Sequence, residues 1–162
     1  MRRRRSSAAL ALALMGLAPA ASAQSGPAPR ADHCRSATEL RAQDLHGLWQ
    51  LVLWTGGGSE RAPASTGAML FGPHPEYPDS VRGRLRRSGP GADLEAEVAG
   101  DVGDDGEFNL DESADGVAMD AVWNGQPSDC GRTIRGLRRP AEGRPDAGPA
   151  LQFLLQRAPA GH

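Results

Sequence analysis

The alternation over residues 80–102 constrains the fold of this chain more than any other stretch. Val81, Gly83 and Leu85 alternate with Arg82, Arg84 and Arg86, and Leu94, Ala96 and Val98 alternate with Asp93, Glu95 and Glu97. Period two on both arms is the pattern of paired strands with one dry and one wet face. With Ser88-Gly89-Pro90-Gly91 as a four-residue turn, the hairpin pairs Leu85 with Leu94, Gly83 with Ala96 and Val81 with Val98 on the dry face. The same register sets Arg86 against Asp93, Arg84 against Glu95 and Arg82 against Glu97 on the wet face. Such a charge ladder fixes register more than it stabilises, since each exposed pair contributes about 0.2–1 kcal/mol.

Similar strands are predicted on both sides of this hairpin. Ser36-Ala37-Thr38-Glu39 has the form of a capping box, and with Leu40 and Leu45 behind it predicts a helix of about two turns that plugs the fold. Residues 47–54 follow as a buried strand with Trp49, Leu51 and Leu53 on one face. A Gly- and Pro-rich loop over 56–66, a short strand over 68–71 and an irregular, proline-interrupted loop over 72–78 lead into the hairpin. Asp104-Asp105-Gly106 forms a turn with Gly106 left-handed, setting Val102 opposite Phe108 before Leu110 continues the inner face. Asp115-Gly116 turns the chain into Val117, Met119, Ala121 and Trp123. Asn124-Gly125 and Pro127 turn it again into a seventh strand over 130–137. After a loop over 140–149, Leu151, Phe153 and Leu155 mark the last strand. Eight short strands joined mostly by tight turns predict an all-β fold, an eight-stranded antiparallel up-and-down (meander) barrel with a short N-terminal helix. Gly83, Ala96, Gly100 and Ala121 on the inner face leave room for a small ligand.

The first residues read as a secretory signal peptide over 1–23. Arg2 to Arg5 form a positive start, residues 8–18 an apolar run too short to span a bilayer, and Ala21-Ser22-Ala23 a small-residue cleavage site after Ala23. The paired arginines suggest the twin-arginine route, but Ser6-Ser7-Ala8 lacks the apolar residues that route shows. The expected organisation is a flexible segment over 24–35, one barrel domain over 36–158 and a tail over 159–162. Cleavage leaves 139 residues, enough for one core, and shifts the formal charge from -2 to -6. That balance argues against nucleic acid or an anionic membrane as partner. The chain has no lysine, a bias expected of a GC-rich bacterial genome. Cys34 and Cys130 are the only cysteines, and in an oxidising compartment an even number implies one disulfide. Localisation is therefore expected to be the periplasm or the extracellular medium.

A short helical turn followed by Gly47-Leu48-Trp49 resembles the G-x-W opening of lipocalins and the wider calycin group. The resemblance implies an eight-stranded meander barrel that binds a small ligand, with a mature length similar to compact members such as the avidins.

Four groups of residues carry candidate chemistry. Asp101, Asp105, Gly106, Asn109 and Glu112 have the spacing of a calcium-binding EF-hand loop, but the flanking segments alternate with period two where that motif needs helices, so they read as an acidic hairpin turn. His74, Glu76 and Tyr77 share a proline-stiffened loop suited to recognition, and no nucleophile accompanies them. Among Trp49, Trp54 and Trp123, the candidates for contact with a ligand are Trp123 and above all Trp54, at a strand end beside a Gly-rich loop. Arg132, Arg135, Arg138 and Arg139 form a basic run that offers an anion site as the alternative, but among acid-rich neighbours they read as a solvated, paired face. The ligand-contact set is thus Trp54, Trp123, His74, Glu76 and Tyr77, with no catalytic set, metal or cofactor implied. The leading functional reading is a secreted, non-enzymatic barrel that binds a small apolar ligand or a protein partner, with no nucleic acid or membrane partner and an open oligomeric state. A small β-barrel inhibitor of a secreted or periplasmic enzyme is the second reading, and an enzyme the third.

Overall fold

The alternating residues become the two faces of a closed wall. The computed structural model describes residues 34–89 and 93–159; the expected signal peptide, the segment up to His33, and Pro90 and Gly91 of the expected turn lie outside them. The strands are β1 Gly47–Trp54, β2 Ser65–Pro73, β3 Val81–Arg87, β4 Leu94–Val102, β5 Phe108–Ser113, β6 Ala121–Ser128, β7 Thr133–Pro140 and β8 Leu151–Arg157. Each pairs antiparallel with the next, and β8 pairs with β1, so the eight-stranded meander barrel is closed. Inward residues fill its middle. Trp123 meets Phe153 edge-on at 5.1 Å, Phe153 meets Phe108 at 6.4 Å and Phe108 meets Phe71 at 6.3 Å, between ring centroids. Each large apolar side chain so buried stabilises by about 1.5–3 kcal/mol.

The predicted two-turn helix is divided into a 3-10 turn, Ala37–Glu39, and a single α-turn, α1, Ala42–Leu45. Glu39 does reach back to the Ser36 N–H at 2.8 Å. The helix breaks at Leu40 and Arg41 because both leucines are buried. Five residues apart on one continuous helix, at 100° per residue, they would point about 140° apart; extended backbone at Leu40, with ψ 147°, turns both inward. α1 closes one end of the barrel. The Trp49 indole N–H donates to the Leu45 carbonyl at 2.8 Å. The Arg157 guanidinium lies 4.7 Å from the Trp49 ring and donates to the carbonyls of His46, at 2.8 Å, and Asp44. The disulfide Cys34–Cys130 fastens this cap to the turn between β6 and β7.

The central hairpin keeps its faces but not its register. Leu85 lies opposite Ala96, Gly83 opposite Val98, Val81 opposite Gly100 and Arg87 opposite Leu94, two residues away from the expected pairing. Arg84 faces Glu97 rather than Glu95, and Arg86 faces Glu95. A slip of two preserves alternation, so the face pattern cannot detect it, and the length of the connection decides. Long arginines still reach diagonally: Arg82 pairs with Glu97, and Arg86 with Asp93 at 3.2 Å.

Three other boundaries move. β2 is longer than 68–71 and ends on Pro73, paired with Val81 at the strand end. Val117 and Met119 lie on an exposed loop before β6 rather than in it. Asn124, Gly125 and Pro127 lie inside β6 and form no turn. Gly125 is required there because a Cβ would sit 2.8 Å from Phe153 Cζ. The turn comes later, at Asp129, Cys130 and Gly131, with φ of 51°, 56° and 76°, so the seventh strand starts at Thr133 rather than Cys130. The Asp104-Asp105-Gly106 turn is as expected, with Gly106 at φ 82° and Val102 opposite Phe108. Strands β4 and β5, not helices, flank the EF-hand-like residues. The small inward residues do not make a central void: a Cβ at Gly83 would lie 2.4 Å from the Leu70 carbonyl oxygen, and one at Gly100 2.0 Å from that of Asn109. Among the described residues no helix is long and apolar enough to cross a membrane.

Leu85 is buried and Arg84 exposed. Leu85→Asp is therefore expected to cost several kcal/mol in a urea denaturation series, by placing an unpaired charge in the lumen. Arg84→Glu, set against Glu97, is expected to cost about 1 kcal/mol or less. Equal costs would contradict the assignment of faces.

Candidate functional site: a cup at the end opposite the cap

Strand order places four connections at the uncapped end: residues 55–64 between β1 and β2, the link from β3 to β4, residues 114–120 between β5 and β6, and residues 141–150 between β7 and β8. The inner face changes character there. Beyond Leu85 the next inward residue of β3 is Arg87; beyond Leu110 on β5 it is Glu112; beyond Gly136 on β7 it is Arg138; and β2 begins inward with Ser65. All four are buried. They lie at the base of a cavity of about 730 Å³, whose walls include Leu94, Leu151, Ala64 and Ala147. The volume is in the range of sites for small organic molecules.

Glu112 organises the floor. Its Oε1 accepts from one terminal guanidinium nitrogen of Arg138 at 2.9 Å, and its Oε2 accepts from Arg138 Nε at 2.8 Å and from the Trp123 indole N–H at 2.9 Å. The other terminal nitrogen of Arg138 donates to the Ala147 carbonyl at 3.0 Å, tying the 141–150 loop to the floor. The pair is bidentate and almost wholly buried, 1% and 2% exposed. Arg87 differs. It is 9% exposed, its Nε is buried without a partner, and among the described residues its side chain makes no hydrogen bond or ion pair. Burial above all, and then the charge of Arg138, hold its guanidinium below the ordinary arginine range, with Glu112 acting the other way.

Asp120 builds the lip. Its carboxylate accepts from the Ala114 N–H at 2.7 Å and pairs with Arg144, joining the 114–120 and 141–150 connections. Nearby Asp115 accepts from the N–H groups of Ala118 and Val117 at 2.8 and 2.9 Å, and these bonds hold its carboxyl below the usual carboxylate range.

The candidates named from sequence do not converge on this cup. His74, Glu76 and Tyr77 occupy the β2–β3 connection, at the capped end. There His74 Nδ1 accepts from the N–H groups of Glu76 and Tyr77, both at 3.2 Å, and its ring lies 4.8 Å from that of Tyr77. The local geometry accounts for His74 as the organiser of its own turn. Trp54 is buried and donates to Gln152 at 3.0 Å, with its neighbour Thr55 rather than the indole at the cup. Trp123 lies beneath the floor, touching it through Glu112. Of the arginines read as a solvated face, Arg135 pairs with Glu60 at the surface, whereas Arg138 points into the lumen. Arg87 is the residue that sequence reasoning missed, while Glu112 and Arg138 were named from sequence in other roles, within the EF-hand-like spacing and the arginine face. Each was detectable as the next inward position of a strand already identified.

Comparison with protein-family models, curated proteins and solved structures finds no match. Fold and site together define a closed eight-stranded meander barrel, capped at one end and carrying a polar-floored cup at the other.

Glu112→Ala strands the buried Arg138 guanidinium and is expected to cost about 3–5 kcal/mol in chemical denaturation. The double variant Glu112→Leu, Arg138→Met removes both charges and should recover most of that loss. A single variant as stable as the parent would contradict the role assigned to the pair.

Proposed function

We propose that this is a secreted or periplasmic barrel of calycin type that binds a small molecule in the cup at its uncapped end. One observation carries the reading: a cavity of about 730 Å³ with apolar walls and a buried polar floor, at the one end that α1 leaves open. Rigid strands hold the floor, and hydrogen-bonded loops hold the rim, so the cup needs little ordering when a ligand enters. Secretion is supported by the signal-peptide pattern at the N-terminus and by the Cys34–Cys130 bridge, which suits an oxidising compartment. The Gly47-Leu48-Trp49 opening supports calycin kinship, with Trp49 seated directly under the N-terminal cap.

Exposed Val117 and Met119 on the loop before β6 favour a second reading, an inhibitor that docks on an enzyme through this rim. Native mass spectrometry of protein purified from its own source separates the two. The expected spectrum carries a bound species of a few hundred daltons that is released on denaturation. A bare chain, or one recovered only with a protein partner, would overturn the small-ligand reading.

A further inference from the structure

We propose that the cup takes a singly charged organic anion with an apolar body, its carboxylate seated against Arg87. This rests on the reading of the cup as a small-molecule site and names the chemistry of the molecule. Arg87 ends β3 on the inward face, where a lone guanidinium is costly to bury. Within the floor, Glu112 already satisfies Arg138 through two hydrogen bonds, so Arg87 contributes the one positive charge left over. Its Nε has no partner, and Arg138 adds repulsion instead of relief. A carboxylate in the cup would neutralise that charge, its two oxygens meeting the fork of the two terminal guanidinium nitrogens, since Nε itself is sealed in the wall.

The rest of the cup limits the charge and shape of that anion. Asp93 and Glu95 at the rim are both engaged by Arg86, at 3.2 and 3.4 Å, and Asp120 is engaged by Arg144. Asp146 is exposed at the lip. An acidic rim around a floor with one surplus positive charge disfavours polyanions such as nucleotides and admits a monoanion. Leu94, Leu151, Ala64 and Ala147 then cover the apolar body.

The test uses three probes of one size, 4-phenylbutyrate, 4-phenylbutan-1-ol and 4-phenylbutylamine, titrated by calorimetry into the mature chain with its disulfide intact. The carboxylate should bind at least about tenfold more tightly than the alcohol, and the amine more weakly than either. Arg87→Gln should bring carboxylate and alcohol to equal affinity, and measurable binding of the alcohol then reports that the cup is intact. Arg87→Lys, which keeps the charge and loses the fork, should restore part of the preference. Equal binding of carboxylate and alcohol to the parent protein would overturn the anion seat and leave the cup reading standing. An undiminished preference in Arg87→Gln would also overturn it. Binding of none of the three would overturn it too, with the native mass spectrum then showing separately whether the cup is occupied.

Discussion

Closure of the sheet forces every second residue of each strand into the lumen, and the rest of the structure follows from what those residues are. In a barrel of eight strands the interior is just wide enough for side chains to fill. Trp49, Trp123, Phe108, Phe153 and Met69 fill it here, all fully buried. With the middle occupied, ligand chemistry can only sit at an end. One end is taken by α1, held down by Arg157 through the carbonyls of Asp44 and His46. The other end holds the cup.

The two ends are stabilised in different ways. At the capped end two donors beneath the cap find backbone acceptors: the Trp49 indole takes Leu45, and Arg157 takes His46. At the cup end the polar groups look to one another. Glu112 is held by Arg138 and Trp123, and Arg138 reaches on to the Ala147 carbonyl. A buried ion pair of this kind adds little net stability, but removing one partner is costly, so it holds floor and loop in one arrangement. Arg87 stands outside that network. A buried donor left unpaired costs about 1–3 kcal/mol, a large share of a small domain's stability. Groups kept in such a position are expected where a ligand completes them.

Much of the fold was legible because period two is a strong signal. Val81 to Arg86 and Leu151 to Leu155 name their own faces, and Gly106 names its own turn. Register was not legible, since a slip of two leaves every face unchanged, and the connection through Ser88 turned out longer than four residues. Asn124-Gly125 misled because the dipeptide favours a turn, yet here it lies mid-strand, with Gly125 chosen for closeness to Phe153. The cup was hidden for a related reason. Arg87 follows Arg82, Arg84 and Arg86 and looks like one more solvated arginine, but it is two residues beyond Leu85 and therefore faces inward. His74, Glu76 and Tyr77 drew notice by residue type and proximity in sequence, whereas their connection lies at the end of the barrel away from the cup.

The central claim is that Arg87 is held in the lumen at a cost to stability, for the sake of what binds there. Urea denaturation of Arg87→Met in ligand-free protein tests it most directly. The account predicts a variant at least as stable as the parent, with a gain of about 1–3 kcal/mol if the unpaired donor is the dominant cost. A loss of more than about 1 kcal/mol would mean that Arg87 stabilises the barrel itself, and would contradict the account.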